Sequence, residues 1–239
     1  MKSIVFNGLT KAFGNRTVVQ DLSFTAEPGR VTGFLGPNGA GKTTSLRVLL
    51  GLERATAGTA TFGGSHYAAM PTPARNVGAV LEESRLHPGR TGRSHLRIHA
   101  VSGGIGRERV EEVLGQTGLA DVAHRRVKSY SQGMAKRLAI ATALLGDPEV
   151  LILDEPTNGL DPFGVRWLRD EMRKWANEGR VVLVSSHLLA EMELIVDDVV
   201  IIAAGRLLEK ADVATLRGAD GTSLEDVFIK LAGGGAGIR

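Results

Sequence analysis

Eight consecutive residues near the amino terminus have the composition of a loop that binds phosphate groups. They are Gly36, Pro37, Asn38, Gly39, Ala40, Gly41, Lys42 and Thr43, and Thr44 follows them. Glycines let the backbone curl so that successive N–H groups face an anion, and Lys42 supplies a positive charge to β- and γ-phosphates. Thr43 supplies a hydroxyl for Mg²⁺. We name residues 36–43 the phosphate-binding loop and predict that they hold a nucleoside triphosphate.

The residues on both sides of this loop strengthen the prediction. An apolar run at 31–35 predicts a strand before the loop, and Leu46, Leu49 and Leu50 share one face of a helix predicted at 43–50. The positive end of that helix adds to the attraction for phosphate. The alternative, a glycine-rich turn that contains Lys-Thr by chance, leaves the strand, the spacing and the helix unexplained.

Two carboxylates at the end of another apolar run are suited to hydrolytic chemistry. Residues 150–153 are Val-Leu-Ile-Leu, the pattern of a strand buried on both faces, and Asp154 and Glu155 follow directly. We expect Asp154 to serve Mg²⁺, directly or through water, and Glu155 to act as the base for the attacking water or to orient it. Without the phosphate-binding loop, two solvated acids at a strand end would be the simpler interpretation.

The composition of the whole chain limits its class. Its 239 residues, 43% of them hydrophobic, suffice for one folded domain with its own core. Because the chain contains no Cys, disulfides, zinc–thiolate sites and thiol nucleophiles are excluded. A formal charge of +3 is too small to indicate nucleic acid, and no such partner is expected. Residues 1–7 do not resemble a secretory signal, and the longest apolar runs, such as 199–204, fall far short of the ~18 residues that a membrane-spanning helix requires.

The order of predicted elements divides the chain into a core and an insertion. Periodicity predicts strands at 4–9, 18–24, 56–62, 181–184 and 199–203, and helices at 93–102, 107–116, 133–145 and 164–177. The β–α–β alternation favours a largely parallel sheet covered by helices. We expect an α/β core at 1–82 and 147–218 and a helical insertion at 83–146. Residues 219–239 are expected to form a short helix, opened by Ser223 and Asp226, and a loose tail.

Three segments resemble one protein family. Residues 130–134, Tyr-Ser-Gln-Gly-Met, resemble the Leu-Ser-Gly-Gly-Gln signature of ABC ATPases, and we name them the signature segment. Residues 36–44 read GPNGAGKTT and residues 151–162 read LILDEPTNGLDP, both typical of that family. The resemblance implies a P-loop NTPase (RecA-like) core with an N-terminal antiparallel β-subdomain and an inserted α-helical subdomain.

The resemblance also implies roles for residues outside the phosphate-binding loop. Phe13, 29 residues before Lys42, matches the aromatic residue that stacks on the adenine of ATP, and Val18 matches a position that often contacts the nucleoside. His187 matches the switch histidine that contacts the γ-phosphate, so that Lys42, Glu155 and His187 form the expected catalytic set.

The signature segment and a second short segment are expected to act across a head-to-tail homodimer. Ser131, Gln132 and Gly133 match residues that close over the γ-phosphate of ATP held by the opposite subunit. Residues 158–161, which we name the D-loop, resemble the segment that crosses between subunits. They are Asn158, Gly159, Leu160 and Asp161.

The sequence departs from the family pattern in two places. Glu82 stands where the family usually has a Gln that reaches Mg²⁺, and a carboxylate oxygen can still bind that ion. The expected magnesium ligands are therefore Thr43, Asp154 and Glu82. In the signature segment, Tyr130, Gln132 and Met134 replace Leu, Gly and Gln, whereas Ser131 and Gly133 are retained.

Other polar clusters have simpler interpretations. His95 and His99 have the i, i+4 spacing of a metal pair, but without an HExxH pattern we expect a helix surface. Arg125, Arg126 and Lys128 are expected to form a solvated basic face.

The resemblance implies an ATPase that works for a transporter. Such a subunit lies in the cytoplasm, on the inner face of the membrane, and drives a separate integral-membrane permease. Residues 86–96 and 223–228 resemble the bacterial subfamily that pairs with ABC-2-type permeases to export drugs, antibiotics or other small molecules. The alternative is a soluble ATP switch that acts on a non-transport partner such as the ribosome.

Overall fold

The computed structural model describes residues 2–81, 86–217 and 222–233. The chain divides into two compact units, the first formed by Met1–Met70 with Met172–Arg239 and the second by Pro71–Glu171. The strands are β1 Ile4–Phe13, β2 Arg16–Ala26, β3 Val31–Leu35, β4 Ala57–Phe62, β5 Val77–Val80, β6 Val150–Asp154, β7 Val181–Ser186, β8 Asp198–Ala203 and β9 Arg206–Asp212. The helices are α1 Lys42–Leu49, α2 Pro73–Asn76, α3 Gly92–Ser102, α4 Arg107–Gln116, α5 Gln132–Leu144, α6 Pro162–Asn177, α7 Leu189–Met192, α8 Val213–Arg217 and α9 Leu224–Gly233.

An antiparallel sheet of three strands opens the first unit. Its order is β2-β1-β4, and β1 runs from Ile4, opposite Ala26, to Phe13, opposite Arg16. Side chains alternate between the two faces of the sheet, and the buried apolar residues of β1 and β2 share one face. Phe6 and Phe24 stack there with ring centroids 4.5 Å apart, and Phe34 of β3 lies 5.2 Å from Phe24. This aromatic cluster fixes the sheet against the strand that leads into the phosphate-binding loop.

Strand β3, which leads into the phosphate-binding loop, pairs with parallel strands on both sides. β3 pairs with β7 on one side and with β8 on the other, and Leu35 lies opposite Ser186 and Ile201. All five residues of β3 are buried, which explains its continuous apolar sequence. Because the carboxyl ends of β3 and β7 are in register, the residues after Leu35 and Ser186 emerge at the same edge.

Two strands are absent from the sequence-based prediction, β5 in the second unit and β9 at the edge of the sheet in the first. Strand β9 pairs antiparallel with β8, after a turn at Ala204 and Gly205. Its residues are mostly half-buried or exposed, so it lacks the apolar run that marks the central strands. The other strands of the predicted set are present, although β1 continues to Phe13 rather than ending near residue 9.

A cluster of ions ties the amino end of β3 to β8 and β9. Arg30 Nε and Nη2 donate to the two carboxylate oxygens of Asp198 at 2.5 Å and 2.7 Å, and Nη2 also donates to Asp212 at 2.7 Å. Asp197 accepts from the backbone N–H of Val31 at 2.8 Å. The hydrogen bond from Arg30 lowers the pKa of Asp212. These bonds close the end of the sheet opposite the phosphate-binding loop.

The second unit combines two parallel strands with helices. β5 pairs with β6 from Val77 opposite Val150 to Val80 opposite Leu153. The helices α3, α4 and α5 contact one another over a buried apolar core, and α5 also contacts β5. All three helices lie inside the predicted helical range 83–146, and α4 has the predicted bounds.

His95 contradicts the expectation of a helix surface. Its side chain is 5% exposed, and Nε2 lies 3.2 Å from Thr142 Oγ1, whereas His99 is exposed. Burial, together with the neighbouring His99 and Arg90, lowers the pKa of His95 to about 4. The spacing alone could not separate the two faces of α3, because the buried face is decided by packing against α5.

The capping box predicted for the last helix is confirmed. Ser223 Oγ accepts from the N–H of Asp226 at 3.1 Å, and Asp226 Oδ2 accepts from the N–H of Ser223 at 3.4 Å. Of the tail predicted at 233–239, Gly233 belongs to α9, and residues 234–239 lie outside the described residues. Throughout the described ranges, each helix is too short or too polar to cross a lipid bilayer.

Candidate functional site

The backbone of the phosphate-binding loop lies against carbonyl groups of the first unit. The N–H of Gly36 donates to the Ser186 carbonyl at 3.3 Å, and the N–H of Ala40 donates to Pro37 at 3.1 Å. A β-carbon at Gly36 would collide with the carbonyl oxygen of Ile202. Gly41, at the start of α1, has φ +103, and a β-carbon there would lie 2.9 Å from the Val18 carbonyl oxygen. Glycine is therefore required at positions 36 and 41 of the loop.

Lys42 brings a buried positive charge into this loop. Its side chain is only 6% exposed, and Nζ donates to the carbonyl oxygens of Gly36 at 2.6 Å and Pro37 at 3.3 Å. Thr43 and Thr44 are half-buried in the first turn of α1, while Pro37, Asn38 and Gly39 form an exposed rim. The loop thus has an ammonium group, a helix start and backbone N–H groups close together, which is the chemistry of a phosphate site.

The hairpin of β1 and β2 brings two more predicted residues into the same unit. The ring of Phe13 is 47% exposed, and Lys11 Nζ lies 4.4 Å from its centroid. Val18 is half-buried, and its carbonyl oxygen is the one that approaches Gly41. An exposed, flat ring at the tip of a hairpin can stack on a nucleobase.

His187 emerges beside the phosphate-binding loop. It follows Ser186 at the end of β7 and is half-buried, and Ser186 lies opposite Leu35, the residue before Gly36. The N–H of Leu188 donates to Ser186 Oγ at 3.0 Å, which fixes the backbone just after the histidine. The structure therefore groups the loop, Val18 and His187 at one edge of the first unit.

The two predicted acids lie in the second unit, at the end of β6. Asp154 is fully buried and Glu155 is 4% exposed. Glu155 has φ +47, a left-handed conformation that costs a residue with a side chain about 1–3 kcal/mol. Its carbonyl oxygen accepts from the N–H of Asn158 at 3.3 Å and from Lys136 Nζ at 3.3 Å. These bonds hold a tight turn from the strand to the D-loop.

The signature segment begins α5. Ser131 Oγ accepts from the N–H of Met134 at 3.2 Å, so Ser131 caps a helix of 13 residues. A shallow pocket of about 400 Å³ lies at this helix start. Its lining includes Ser131, Gly133, Arg137, Gly159 and Asp161. The Arg137 guanidinium lies 4.3 Å from the centre of the Trp167 ring. This cation–π contact keeps the positive charge of Arg137 at the pocket.

The D-loop packs against the signature segment within the second unit. A β-carbon at Gly133 would lie 3.7 Å from Leu160 Cδ2, an ordinary contact distance. Asp161 Oδ1 accepts from the N–H of Gly164 at 2.7 Å and so opens α6. The two segments predicted to act across a dimer are thus neighbours in one chain.

Some parts of these sites are not among the predicted residues. Ile202 and Gly205 form the wall behind the phosphate-binding loop, and Lys136 and Arg137 supply the cations near Glu155 and the signature segment. The Ala-Gly pair after β8 is a sequence signal for the turn that contains Gly205. The spacing of four residues between Gln132 and Lys136 is a signal that the two side chains share one face of α5. Glu82, the remaining predicted magnesium ligand, lies outside the described residues.

Comparison with known proteins identifies the family. The family model described as ABC transporter matches residues 19–158. The chain is 44% identical over 217 residues to the uncharacterized ABC transporter ATP-binding protein YhcH of Bacillus subtilis (strain 168), covering 89% of this chain and 71% of the relative. It is 42% identical over 205 residues to the bacitracin transport ATP-binding protein BcrA of Bacillus licheniformis, covering 84% and 67%.

The fold agrees with this relationship. A solved structure described as the ATP binding subunit of an ABC transporter superposes with a TM-score of 0.87 at 28% identity, over 96% of this chain and 99% of the other. The predicted α/β fold, with a sheet of parallel strands and a separate antiparallel sheet, is therefore confirmed. The chain belongs to the ABC transporter family, as one of its ATP-binding, ATP-hydrolysing proteins.

Proposed function

We propose that this chain is the motor of an exporter, and that it hydrolyses Mg²⁺-ATP to drive a separate ABC-2-type permease. The observation that carries the proposal is the buried Lys42 inside the backbone cradle of the phosphate-binding loop. The BcrA relative is named for transport of bacitracin, an observation that favours an antibiotic or another small molecule as cargo.

ATP binding follows from the first unit. The phosphates replace the loop carbonyls as the partners of Lys42 Nζ, and the N–H groups between Gly36 and Thr44 bind the phosphate oxygens. The base stacks on Phe13, next to Val18. Because the cradle is built before the nucleotide arrives, little ordering of the loop opposes binding.

The donors available to Mg²⁺ are hard oxygens, which this ion prefers. Across the described residues, no group of three His, Cys, Asp or Glu side chains could hold a metal by itself. The residues that would hold the ion are Thr43 through its hydroxyl, Asp154 through its carboxylate, and Glu82. When bound, Mg²⁺ would neutralise the negative charge that develops on the phosphates.

Hydrolysis uses Glu155 as the base. Its carboxylate takes a proton from the attacking water, and the imidazole of His187 contacts the γ-phosphate and steadies the charge on it. Lys42 stabilises the same charge from the loop side. A buried glutamate beside a fixed turn loses little energy in reorganising when the reaction occurs.

The complete site requires two subunits. Ser131 Oγ, the start of α5 and Gly133 close over the γ-phosphate of ATP bound to the opposite subunit, with Gln132 beside them, and the D-loop crosses the interface. A head-to-tail homodimer is the symmetric arrangement that gives both subunits the same contacts. The dimer works at the cytoplasmic face of the membrane, where it binds its permease.

The direct test is the ATPase activity of the purified chain with and without Mg²⁺. Glu155→Gln keeps the volume of the side chain but removes the base, so kcat falls at least about a hundredfold while ATP binding persists. Glu108→Gln, an exposed acid on α4, is the matched control and retains wild-type activity. Activity near the wild-type level in Glu155→Gln would remove Glu155 as the base.

Transport is tested by co-purification from a detergent extract of the source cells. A polytopic membrane protein that co-purifies with the tagged chain supports the permease partnership. Ribosomes or a soluble protein in its place would favour the alternative function, an ATP switch without a transport partner.

A further inference from the structure

Two side chains on one face of α5 reach the turn that follows β6. Gln132 and Lys136 are four residues apart, so they project from the same side of the helix. Lys136 Nζ donates to the backbone carbonyl of Glu155 at 3.3 Å. The amide group of Gln132 lies on Gly159, where it occupies the position that a β-carbon would take. Together the two side chains contact both ends of the segment 155–159.

The segment that they contact has an unusual backbone. Glu155 has φ +47 and Gly159 has φ +80, so both ends are left-handed. A backbone bond from the N–H of Asn158 to Glu155 and another from Leu160 to Thr157 close the turn internally. The hydroxyl of Thr157 is buried and has no hydrogen-bond partner among the described residues. A strained conformation of this kind persists only where surrounding groups hold it.

The Gln132 contact distinguishes this chain from the usual family pattern. The family signature has Gly at this position, and Gly has no side chain that could reach the D-loop. Gln132 as a whole is exposed, so its amide end is kept at Gly159 by local fit rather than by burial. Gly159 is the matching half of the fit, since any side chain there would displace the amide.

We propose that Lys136 and Gln132 are positioning residues that fix segment 155–159 to the signature helix. The base Glu155, the D-loop and the signature segment then move as one body. This inference rests on the proposed function, because the three elements cooperate only in a dimer that shares ATP. Its consequence is that closure of the signature segment over the partner's ATP adjusts the base that acts on the chain's own ATP.

A double-mutant cycle tests the Gln132 contact. Gly159→Ala displaces the amide, and we expect kcat to fall at least about fivefold with the KM for ATP unchanged. In the Gln132→Gly background the same substitution costs at most about twofold, because the contact is already absent.

Gly64→Ala is the matched control for backbone strain. Gly64 has φ +83, close to that of Gly159, but a β-carbon there would meet open space. Gly64→Ala therefore measures the cost of the left-handed conformation alone and leaves kcat unchanged. An equal effect of Gly159→Ala in the two backgrounds would overturn the role of Gln132.

Lys136 is tested by substitutions that keep or remove its donor. Lys136→Met lowers kcat without changing the affinity for ATP, and Lys136→Arg restores most of the activity. Wild-type kcat in Lys136→Met, with unchanged thermal stability, overturns the role of Lys136. Failure of the wild-type chain to hydrolyse ATP would overturn the proposed function itself, whereas a cycle without coupling in an active enzyme overturns only this inference.

Discussion

At the scale of single residues, the exposed ring of Phe13 is the proposed stacking surface for the base of ATP. Large aromatic side chains are usually buried, yet almost half of this one is accessible at the end of β1. Lys11 lies over the ring and orders it, while its own charge is balanced by Glu53 at 3.1 Å. A preordered ring loses little entropy when a base stacks on it.

We expect Phe13→Ala to raise the KM for ATP about tenfold, since stacking of one base on an aromatic ring contributes about 1–3 kcal/mol. The value of kcat should change little because the ring does not touch the phosphates. Phe13→Trp provides the control and should keep the wild-type KM. Steady-state kinetics measure both parameters, and an unchanged KM in Phe13→Ala would assign the ring to another role.

At the scale of elements, α3 is held in the second unit partly by a neutral histidine. His95 is buried beside Thr142, and its Nδ1 has no hydrogen-bond partner within the described part of the chain. Burial lowers its pKa to about 4, whereas the unfolded chain has an ordinary histidine near pH 6.5. Below about pH 6.5 the unfolded chain therefore binds a proton that the folded chain does not.

The lowered pKa of His95 makes the folded chain less stable at acidic pH. As the pH falls from about 6.5 to about 4, the free energy of unfolding decreases, by a total on the order of 3 kcal/mol from this group. His95→Gln removes that part of the decrease. Urea unfolding of both proteins over this range measures the difference, in which the carboxylate contributions cancel. Identical pH profiles would show that His95 is not responsible.

The elements that could be predicted share a local signal. β3 and α4 have the predicted bounds, because a continuous apolar run and a 3.6-residue period are visible without knowledge of neighbours. The edge strand β9 was missed since its half-exposed sequence becomes a strand only by pairing with β8. The buried face of α3 likewise depends on α5, which no pattern within α3 reveals.

The same division applies to the sites. The motifs make Lys42, Asp154 and Glu155 candidates because the proposed chemistry depends on residue type at fixed spacing. Contacts that hold those residues involve backbone carbonyl groups, such as those of Gly36 and Glu155, and a carbonyl is present whatever the residue. The residue that supplies the carbonyl group therefore cannot be recognised in the sequence from its type.

At the scale of the whole molecule, the proposed dimer separates two kinds of defect. In that proposed dimer, the phosphate-binding loop and Glu155 would act on the subunit's own ATP, whereas Ser131 would act on the ATP of the partner. A subunit that lacks Lys42 still offers a working signature segment, and a subunit with Ser131→Arg still offers a working loop. A mixed dimer of the two then contains one complete site.

We therefore expect Lys42→Ala and Ser131→Arg to be inactive alone and to recover activity when they are mixed. Random exchange of subunits makes half of the dimers mixed, each with one site of two, so activity returns to about a quarter of the wild-type level. Lys42→Ala mixed with Glu155→Gln is the matched control, since both defects affect the subunit's own ATP and no complete site forms. Recovery in the control, or none in the test mixture, would contradict the assignment of Ser131 to the opposite site.

The hairpin that carries Phe13 also has a consequence for the selectivity between ATP and GTP. A ring recognises the flatness of a nucleobase and not the pattern of donors and acceptors along its edge, and every base has such a face. In the proposed site, Lys42 and the loop around it bind the phosphates, which are the same in ATP and GTP. We therefore expect weak selectivity for adenine, so that GTP is hydrolysed at a rate similar to that of ATP.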